Sequence, residues 1–407
     1  MYDKNIRGIY GLRQKLRLGW LLAVIVLAVI GLVIFDYTRP LPLIRPQAQT
    51  PSPIAAQAID LPWPTGGQAA IGAVGFGVLA TNHTEQAIPM ASVAKIITAL
   101  AVLKQKPLEL GQQGPTITFD STDVSYYQTY AAEGGSVAKV VIGENISEYQ
   151  VLQTMLLPSA NNIAESLARW AFGSPNAYIA YVNQFVKTLG MTQTNVADAS
   201  GFVSQTTSTA KDLVILGEAA MNNSVLAQIV GQSQATVPVA GTVDNTNWLL
   251  GSDGFVGIKT GNTDQDPGCY LFAVSQIFGG QPLYIVGAVM GMPTLTDAIS
   301  NGRTLADAAK TSFSNPTIVK AGQIIGAYKL PWGGSIQAVA QKDLAVVTWK
   351  GVQITPIVSL NPLHASAAAG MQIGTLSAAS GQETVSVPVV IKQAVPKPPL
   401  LWRLFRL

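Results

Sequence analysis

The sequence is poor in the residues that most often carry metal and redox chemistry. Among 407 residues there is one cysteine, Cys269, and there are two histidines, His83 and His364. A lone cysteine excludes an internal disulfide, a cysteine-based metal site and a CxxC redox pair. Two histidines so far apart do not make a His-rich zinc centre, so no metal and no cofactor is expected. Charge is also scarce, at 12% of residues, against about 25% in an average soluble domain. An apolar content of 48% excludes a disordered chain and supplies ample core material. The net charge of +3 is unevenly distributed. Residues 1–18 hold five Lys/Arg against one Asp, and residues 392–407 hold four Lys/Arg and no acid. The stretch between them is therefore net acidic, and a nucleic-acid-binding body with a basic patch is not expected. With these residue types missing, any chemistry must come from Ser, Thr, Lys, Asn and carboxylates.

What is present begins with an apolar run. Gly19 to Phe35 reads GWLLAVIVLAVIGLVIF without a charge. Its length meets the lower limit of about 17 residues for a membrane span and exceeds the roughly 7–15 of a signal-peptide apolar region. No small-residue cleavage site follows directly, because the next residues are Asp36-Tyr37-Thr38-Arg39-Pro40. An uncleaved anchor at 19–35 is expected; a cleaved signal and a buried core helix are the alternatives. Lys4, Arg7, Arg13, Lys15 and Arg17 precede the run. The positive-inside rule keeps that basic segment, 1–18, cytoplasmic and places everything after Asp36 outside. Residues 36–67 are proline-rich, with seven prolines between 40 and 64. Polyproline II is the expected conformation, a semi-rigid extracytoplasmic spacer reaching on the order of 75 Å.

From residue 68 the pattern becomes globular. Ile71–Ala80 reads as a glycine-punctuated strand, and Pro89–Lys104 as a helix apolar nearly all round and therefore buried. Ser147 and Gln150 form a capping box for a helix ending at Leu156. Pro158 interrupts, a second helix runs to Trp170, and Ser174-Pro175 opens a third that stops at Gly190. Val256–Lys259, Cys269–Ile277 and Leu283–Val289 read as strands, followed by a helix over Thr296–Phe313. This order predicts an α+β body in which helices cover an antiparallel sheet, over 68–315. Beyond Asn315-Pro316, short alternating runs at Gln323–Ala327, Ser335–Val339, Leu344–Trp349 and Thr384–Val390 predict a small all-β domain over 316–392. A basic and apolar tail, 393–407, follows. Its Leu, Trp and Phe residues mixed with Arg403 and Arg406 fit a membrane interface, and a disordered tail is the alternative.

Ser92-Val93-Ala94-Lys95 falls in the first turns of the buried helix, and a spacing of three puts serine and lysine on one helical face. A desolvated lysine has a lowered pKa and acts as a base. A neighbouring serine then becomes a nucleophile without histidine. The same Ser-x-x-Lys pattern occurs at Ser136–Lys139 and Ser208–Lys211. Residues 137–142 look like strand, where positions three apart face opposite ways. Thr209 with Asp212 has capping-box spacing ahead of an apolar helix. Ser92 is therefore the candidate. Ser159-Ala160-Asn161 lies in the break after Pro158, either in a cleft or capping the next helix. Lys259-Thr260-Gly261 ends a strand, either as a cation and hydroxyl for an anionic substrate group or as a solvated strand end.

Taken together and in this order, Ser92-x-x-Lys95, Ser159-x-Asn161 and Lys259-Thr-Gly261 resemble the motifs of penicillin-interacting serine enzymes. The finer resemblance is to the D-alanyl-D-alanine carboxypeptidase family, the low-molecular-mass penicillin-binding proteins. It extends over Ile88–Ala91, Leu157–Asn162, Asp198-Ala-Ser-Gly-Phe202, Ser208–Ala210 and Asn245–Asn247, and it reaches Val319–Gln323 and Gly370–Thr375, covering roughly 68–392. The resemblance implies a β-lactamase/transpeptidase-like serine enzyme domain followed by a β-domain. It implies a serine D,D-peptidase on a bacterial cytoplasmic membrane, acting on peptidoglycan stem peptides that end in D-Ala-D-Ala. Ser92 would be the acylated nucleophile, Lys95 its base, and Ser159 a proton relay. Asn161, Lys259, Thr260, Gly261 and Asn262 would bind substrate, with the backbone N–H groups of Ser92 and Asn262 as the oxyanion hole. β-Lactams would acylate Ser92. The sequence departs from the family at three places. Ala160 stands where Gly is frequent, and Asn162 where an acid is. The arginine often found after the third strand is absent from Gly291–Ala298, the first being Arg303. Endopeptidase or transpeptidase action is thus an alternative, as is a non-catalytic wall-binding scaffold. A β-lactamase is a further alternative, although neither Glu165 nor Asp198 sits in a recognisable deacylation loop.

Overall fold

A computed structural model describes residues 3–406, with side chains from Gln14 onward. Lys4, Arg7 and Arg13 of the basic segment lie outside the residues whose side chains are described. The chain opens with α1, Asp3–Thr38. Over Gln14–Thr38 it is the one single helix, among the described residues, long and apolar enough to cross a membrane, and it is not buried against the protein. The apolar side chains from Trp20 to Phe35 are exposed.

The proline-rich stretch is not a free spacer. Residues Pro46–Ala48 form strand β1. Ile44 makes a bridge to Leu363, and Ile54 one to Ile354. Ile44, Leu61 and Pro64 are buried. Prolines suit this, since an edge strand leaves one row of backbone groups unpaired. The apolar residues spaced between the prolines provide the anchors.

The body is built on a five-stranded sheet. Its strands are β2 (Gln68–Ala73), β3 (Gly77–Asn82), β4 (Phe255–Gly261), β5 (Gly268–Phe278) and β6 (Gln281–Met292). The order is β4-β5-β6-β2-β3, with every neighbour antiparallel. The expected single strand over 71–80 is thus a hairpin, since Gly75 and Gly77 adopt positive φ and turn the chain. Both faces of the sheet are covered. Leu271 and Ala273 belong to the larger core, while Tyr270, Phe272 and Val274 point to a second. This period-2 division of an almost wholly apolar strand is what burial on two sides requires.

On the first face lie α2 (Ala94–Gln105), α3 (Ser121–Ala132), α4 (Glu148–Leu156), α5 (Asn161–Phe172), α6 (Pro175–Thr188), α7 (Ala210–Asn222) and α8 (Ser224–Val230). On the other lies α9 (Leu295–Ser312). Their starts follow from local chemistry. Ser147 and Gln150 close a reciprocal capping box on α4, Ser174 caps α6 ahead of Pro175, and Thr209 accepts from the Asp212 N–H to cap α7. Pro89 does not start a helix. It sits in a two-residue strand, and a 3-10 turn, Ala91–Val93, leads into α2.

Ile44 and residues between Val319 and Val395 form a separate core, while Trp349 joins the core beneath α9. Here β7 (Ile324–Lys329), β8 (Ser335–Ala340), β9 (Pro356–Leu360), β10 (Gln372–Ser380) and β11 (Glu383–Ile391) make a six-stranded sheet with β1, in the order β1-β7-β8-β11-β10-β9. The turn between β10 and β11 touches the body, where the Gln382 N–H donates to the Gly75 carbonyl at 2.7 Å. The tail is not disordered. It forms α10, Leu400–Phe405, whose Arg403 donates to the Tyr37 carbonyl at 2.9 Å, at the end of α1.

Candidate active site

Ser92 occupies the 3-10 turn at the head of α2. Ala91 before it has φ +46°, a left-handed conformation that costs a non-glycine residue on the order of 1–3 kcal/mol. Such strain persists only where the surroundings over-determine it, and two glycines show how. Gly201 has φ +75°, and a Cβ there would lie 1.9 Å from the Ala91 carbonyl oxygen. A Cβ on Gly261 would lie 3.1 Å from the Ser92 nitrogen. The loop of Gly201 and the end of β4 thus press on the serine turn from two sides.

Lys95 is completely buried. Its amine makes three contacts: Ser92 Oγ at 2.7 Å, Asn161 Oδ1 at 2.7 Å and the Ser200 carbonyl at 2.9 Å. The last two partners only accept, so they take two N–H bonds of the amine whatever its charge. In the neutral amine the remaining position is the lone pair, and it faces the Ser92 hydroxyl. Burial pushes the Lys95 pKa well below the usual lysine range, and the nearby Lys259 pushes it the same way. Asp198 and Glu165 oppose both. The arrangement can take a proton from Ser92.

Asn161 is the first residue of α5, and its N–H donates to the Ser136 carbonyl at 2.8 Å. Ser159, two residues earlier, is 6% exposed and has φ +66°. The break after Pro158 is therefore a strained turn, and Asn161 just beyond it meets Lys95 of α2. Asn162, in the position noted for its missing acid, clasps the backbone of Ala138. It accepts from the Ala138 N–H at 3.0 Å and donates to its carbonyl at 2.9 Å.

Lys259 is 2% exposed, and burial lowers its pKa to about 7. Its amine donates to the Thr260 carbonyl at 3.1 Å. The Thr260 hydroxyl pairs with that of Thr246 at 2.7 Å. A cleft of about 240 Å³ opens over Ser92 and is walled by Asn161, Phe202, the segment from Glu133 to Ser136, and Asn262 to Gln265. Ser92, Asn161 and Asn262 thus share this cleft. Lys95 sits behind it, Lys259 and Thr260 lie in the adjoining strand, and Ser159 lies in the turn before Asn161.

Two readings change. The Ser136–Lys139 segment is not a strand but an irregular loop, and Ser136 lines the cleft while Lys139 is exposed. The Gly134-Gly135 dipeptide was the signal for this, since a Cβ on Gly135 would lie 2.8 Å from Asn161 Nδ2. Arg303 does not reach the cleft. It pairs with Asp253, ahead of β4, at the other end of that strand from Gly261, about 25 Å away at the usual strand rise. Ser200, whose carbonyl holds Lys95, and Thr246 have roles that neither residue type nor spacing revealed.

A family model described as D-alanyl-D-alanine carboxypeptidase matches residues 71–293, more than half of the chain. The chain belongs to the D-alanyl-D-alanine carboxypeptidase family. It is accordingly a serine-type peptidase, a hydrolase. The D-alanyl-D-alanine carboxypeptidase DacB2 of Mycobacterium tuberculosis is 30% identical over 243 residues, which is 58% of this chain and 76% of that protein. A D-alanyl-D-alanine endopeptidase of Pseudomonas aeruginosa is 29% identical over 160 residues, 39% of this chain and 48% of the relative. Penicillin binding protein 5 from Haemophilus influenzae has a similar structure, with a TM-score of 0.59 at 19% identity, covering 84% of this chain and 100% of the other. A DD-transpeptidase of Streptomyces K15 gives 0.53 at 24% identity, over 62% and 98%. The fold is the transpeptidase-like α+β fold with an added β-region.

Proposed function

We propose that this protein is a membrane-anchored serine D,D-carboxypeptidase that removes the terminal D-Ala from peptidoglycan stem peptides. Residues 68–315 are the peptidase domain in this reading, and 316–392 a β-domain. The observation that carries it is the buried Lys95 amine, held by Asn161 and Ser200 with one position turned to Ser92. Ser92 Oγ attacks the carbonyl of the D-Ala–D-Ala bond while its proton passes to Lys95. The oxyanion lies against the backbone N–H groups of Ser92 and Asn262. Ser159 relays the proton to the leaving amine, D-Ala departs, and water hydrolyses the Ser92 ester. Asn161 binds substrate amide. Lys259 and Thr260, beside the close approach of Gly261, hold the terminal carboxylate. Penicillins acylate the same serine.

The apolar part of α1, residues 19–35, spans the cytoplasmic membrane with the basic N-terminal segment inside. A labelled penicillin is expected to attach to the wild type, Ser136→Ala and Ser208→Ala but not to Ser92→Ala; an unlabelled wild type overturns the reading. Release of D-Ala from a D-Ala-D-Ala peptide tests the reaction. One observation favours a second reading, cleavage or formation of cross-links. Arg303 is held by Asp253 away from the cleft, so a terminal carboxylate rests on Lys259 and Thr260 alone. Incubation with cross-linked peptide dimers separates the two readings by their products.

A further inference from the structure

Glu165 lies one turn after Asn161 on the same face of α5 and is 8% exposed. An acid so buried in a helix needs a reason. Its Oε1 accepts from the Tyr130 hydroxyl at 3.2 Å and from the Ala199 N–H at 3.2 Å. The Ala199 carbonyl in turn accepts from Thr98, one turn after Lys95 on α2. The next residue, Ser200, presents its carbonyl to the Lys95 amine. Glu165 thus grips the backbone segment that, with Asn161 from its own helix, fixes two of the three contacts of that amine.

We propose that Glu165 is a positioning residue for Lys95, seating the amine through Ala199–Ser200 and helping to set its charge. This rests on the reading of Lys95 as the base of Ser92. The charges facing the amine come from separate elements. Lys259 of β4 favours the neutral form, as burial does, while Asp198 of the loop and Glu165 of α5 favour the ammonium. Around Glu165 itself stand Tyr126 and Tyr130 of α3, Arg169 of its own helix, Asp198 and Lys95. A carboxylate placed there holds the proton on Lys95 to a higher pH than the lysine would otherwise keep it. The acid limb of serine acylation is therefore set partly by Glu165.

The test is the pH profile of acylation by a fluorescent penicillin, using the full chain in detergent. In Glu165→Gln the acid limb moves to lower pH by about 0.5–1 unit, so that below the wild-type limb the variant keeps about three to ten times more of its maximal rate. Glu165→Asp keeps the charge and holds the limb in place, with a lower rate from the shorter reach. Should Glu165→Gln fail to fold, Tyr130→Phe removes one donor to the carboxylate and shifts the limb the same way by less. A limb unmoved in Glu165→Gln, or in Tyr130→Phe where that variant stands in for it, overturns the proposal if the wild type acylates, because a purely structural role lowers the rate equally at every pH. No acylation of the wild type at any pH refutes the Ser92 reading instead.

Discussion

The two walls of the cleft are built on opposite plans. The helix wall is a closed network. Each of the three contacts of Lys95 is filled, and the segment behind them is fixed by Asp198, whose carboxylate accepts from the Ser200 hydroxyl at 2.7 Å and the Phe202 N–H at 2.9 Å. The strand wall is open. The Lys259 amine meets only the carbonyl of the next residue, and no carboxylate is paired with it among the described residues. The difference separates two lysines of equal burial by function. Lys95 is lowered by burial and by Lys259, whereas Lys259 is lowered by burial alone. Burial lowers both, but only Lys95 is placed against the Ser92 hydroxyl, with Lys259 opposing its charge and Asp198 and Glu165 supporting it. Environments that push two like groups apart assign their roles. A closed network prepares a geometry; an open one leaves a charge for an anion to complete.

Breaking the helix wall has the largest expected effect. Lys95→Met removes the base and should slow penicillin acylation by about 10²–10⁴-fold, with the folded state checked by circular dichroism. On the strand wall, Lys259→Met should lower kcat/KM for a D-Ala-D-Ala peptide by about 10–100-fold, chiefly through KM. Equal losses in both variants on penicillin acylation and on KM would erase the contrast between the walls. Next comes Asn162→Ala, which strands the N–H and carbonyl of Ala138 and should cost about 2–4 kcal/mol in chemical denaturation. The same comparison has a pH signature. Lys259, near pKa 7 in the free protein, binds a carboxylate only as the cation. The KM for a D-Ala-D-Ala peptide should therefore rise above pH 7, by up to about tenfold per unit, while the acylation rate set by Lys95 changes in the opposite sense, rising with pH. A KM flat from pH 6 to about 9 would remove Lys259 from carboxylate binding. The smallest effect is expected of Arg303→Ala, whose pair with Asp253 is half-exposed; kcat/KM should change by less than about twofold.

Much of the helix wall was legible in the sequence. Ser92 and Lys95 stand three apart in an apolar run, and capping residues mark the starts of α4, α6 and α7. The strand wall was legible as apolar runs broken by glycine. What escaped were features made by backbone rather than side-chain type. Ser200 acts through its carbonyl, which any residue supplies. Ser136 lines the cleft because Asn162 straps an irregular loop in place, and Val137, Val140, Val141 and Ile142 there imitate a strand by their residue type. β10 is rich in Ser and Ala, with few of the branched residues that announce a strand, and β9 is only five residues long and opens on a proline. The stretch from 40 to 64 was read by its prolines, although Ile44, Ile54 and Leu61 decide where it lies.

That docked stretch has a practical consequence for anyone preparing a soluble version. A chain begun at residue 68, where the body starts, would lose β1 and leave the edge of β7 bare. It would also uncover the apolar seats of Ile44 and Leu61. An exposed strand edge is a template for aggregation. A chain begun at Pro40 discards the exposed apolar helix α1 and keeps its own edge protector.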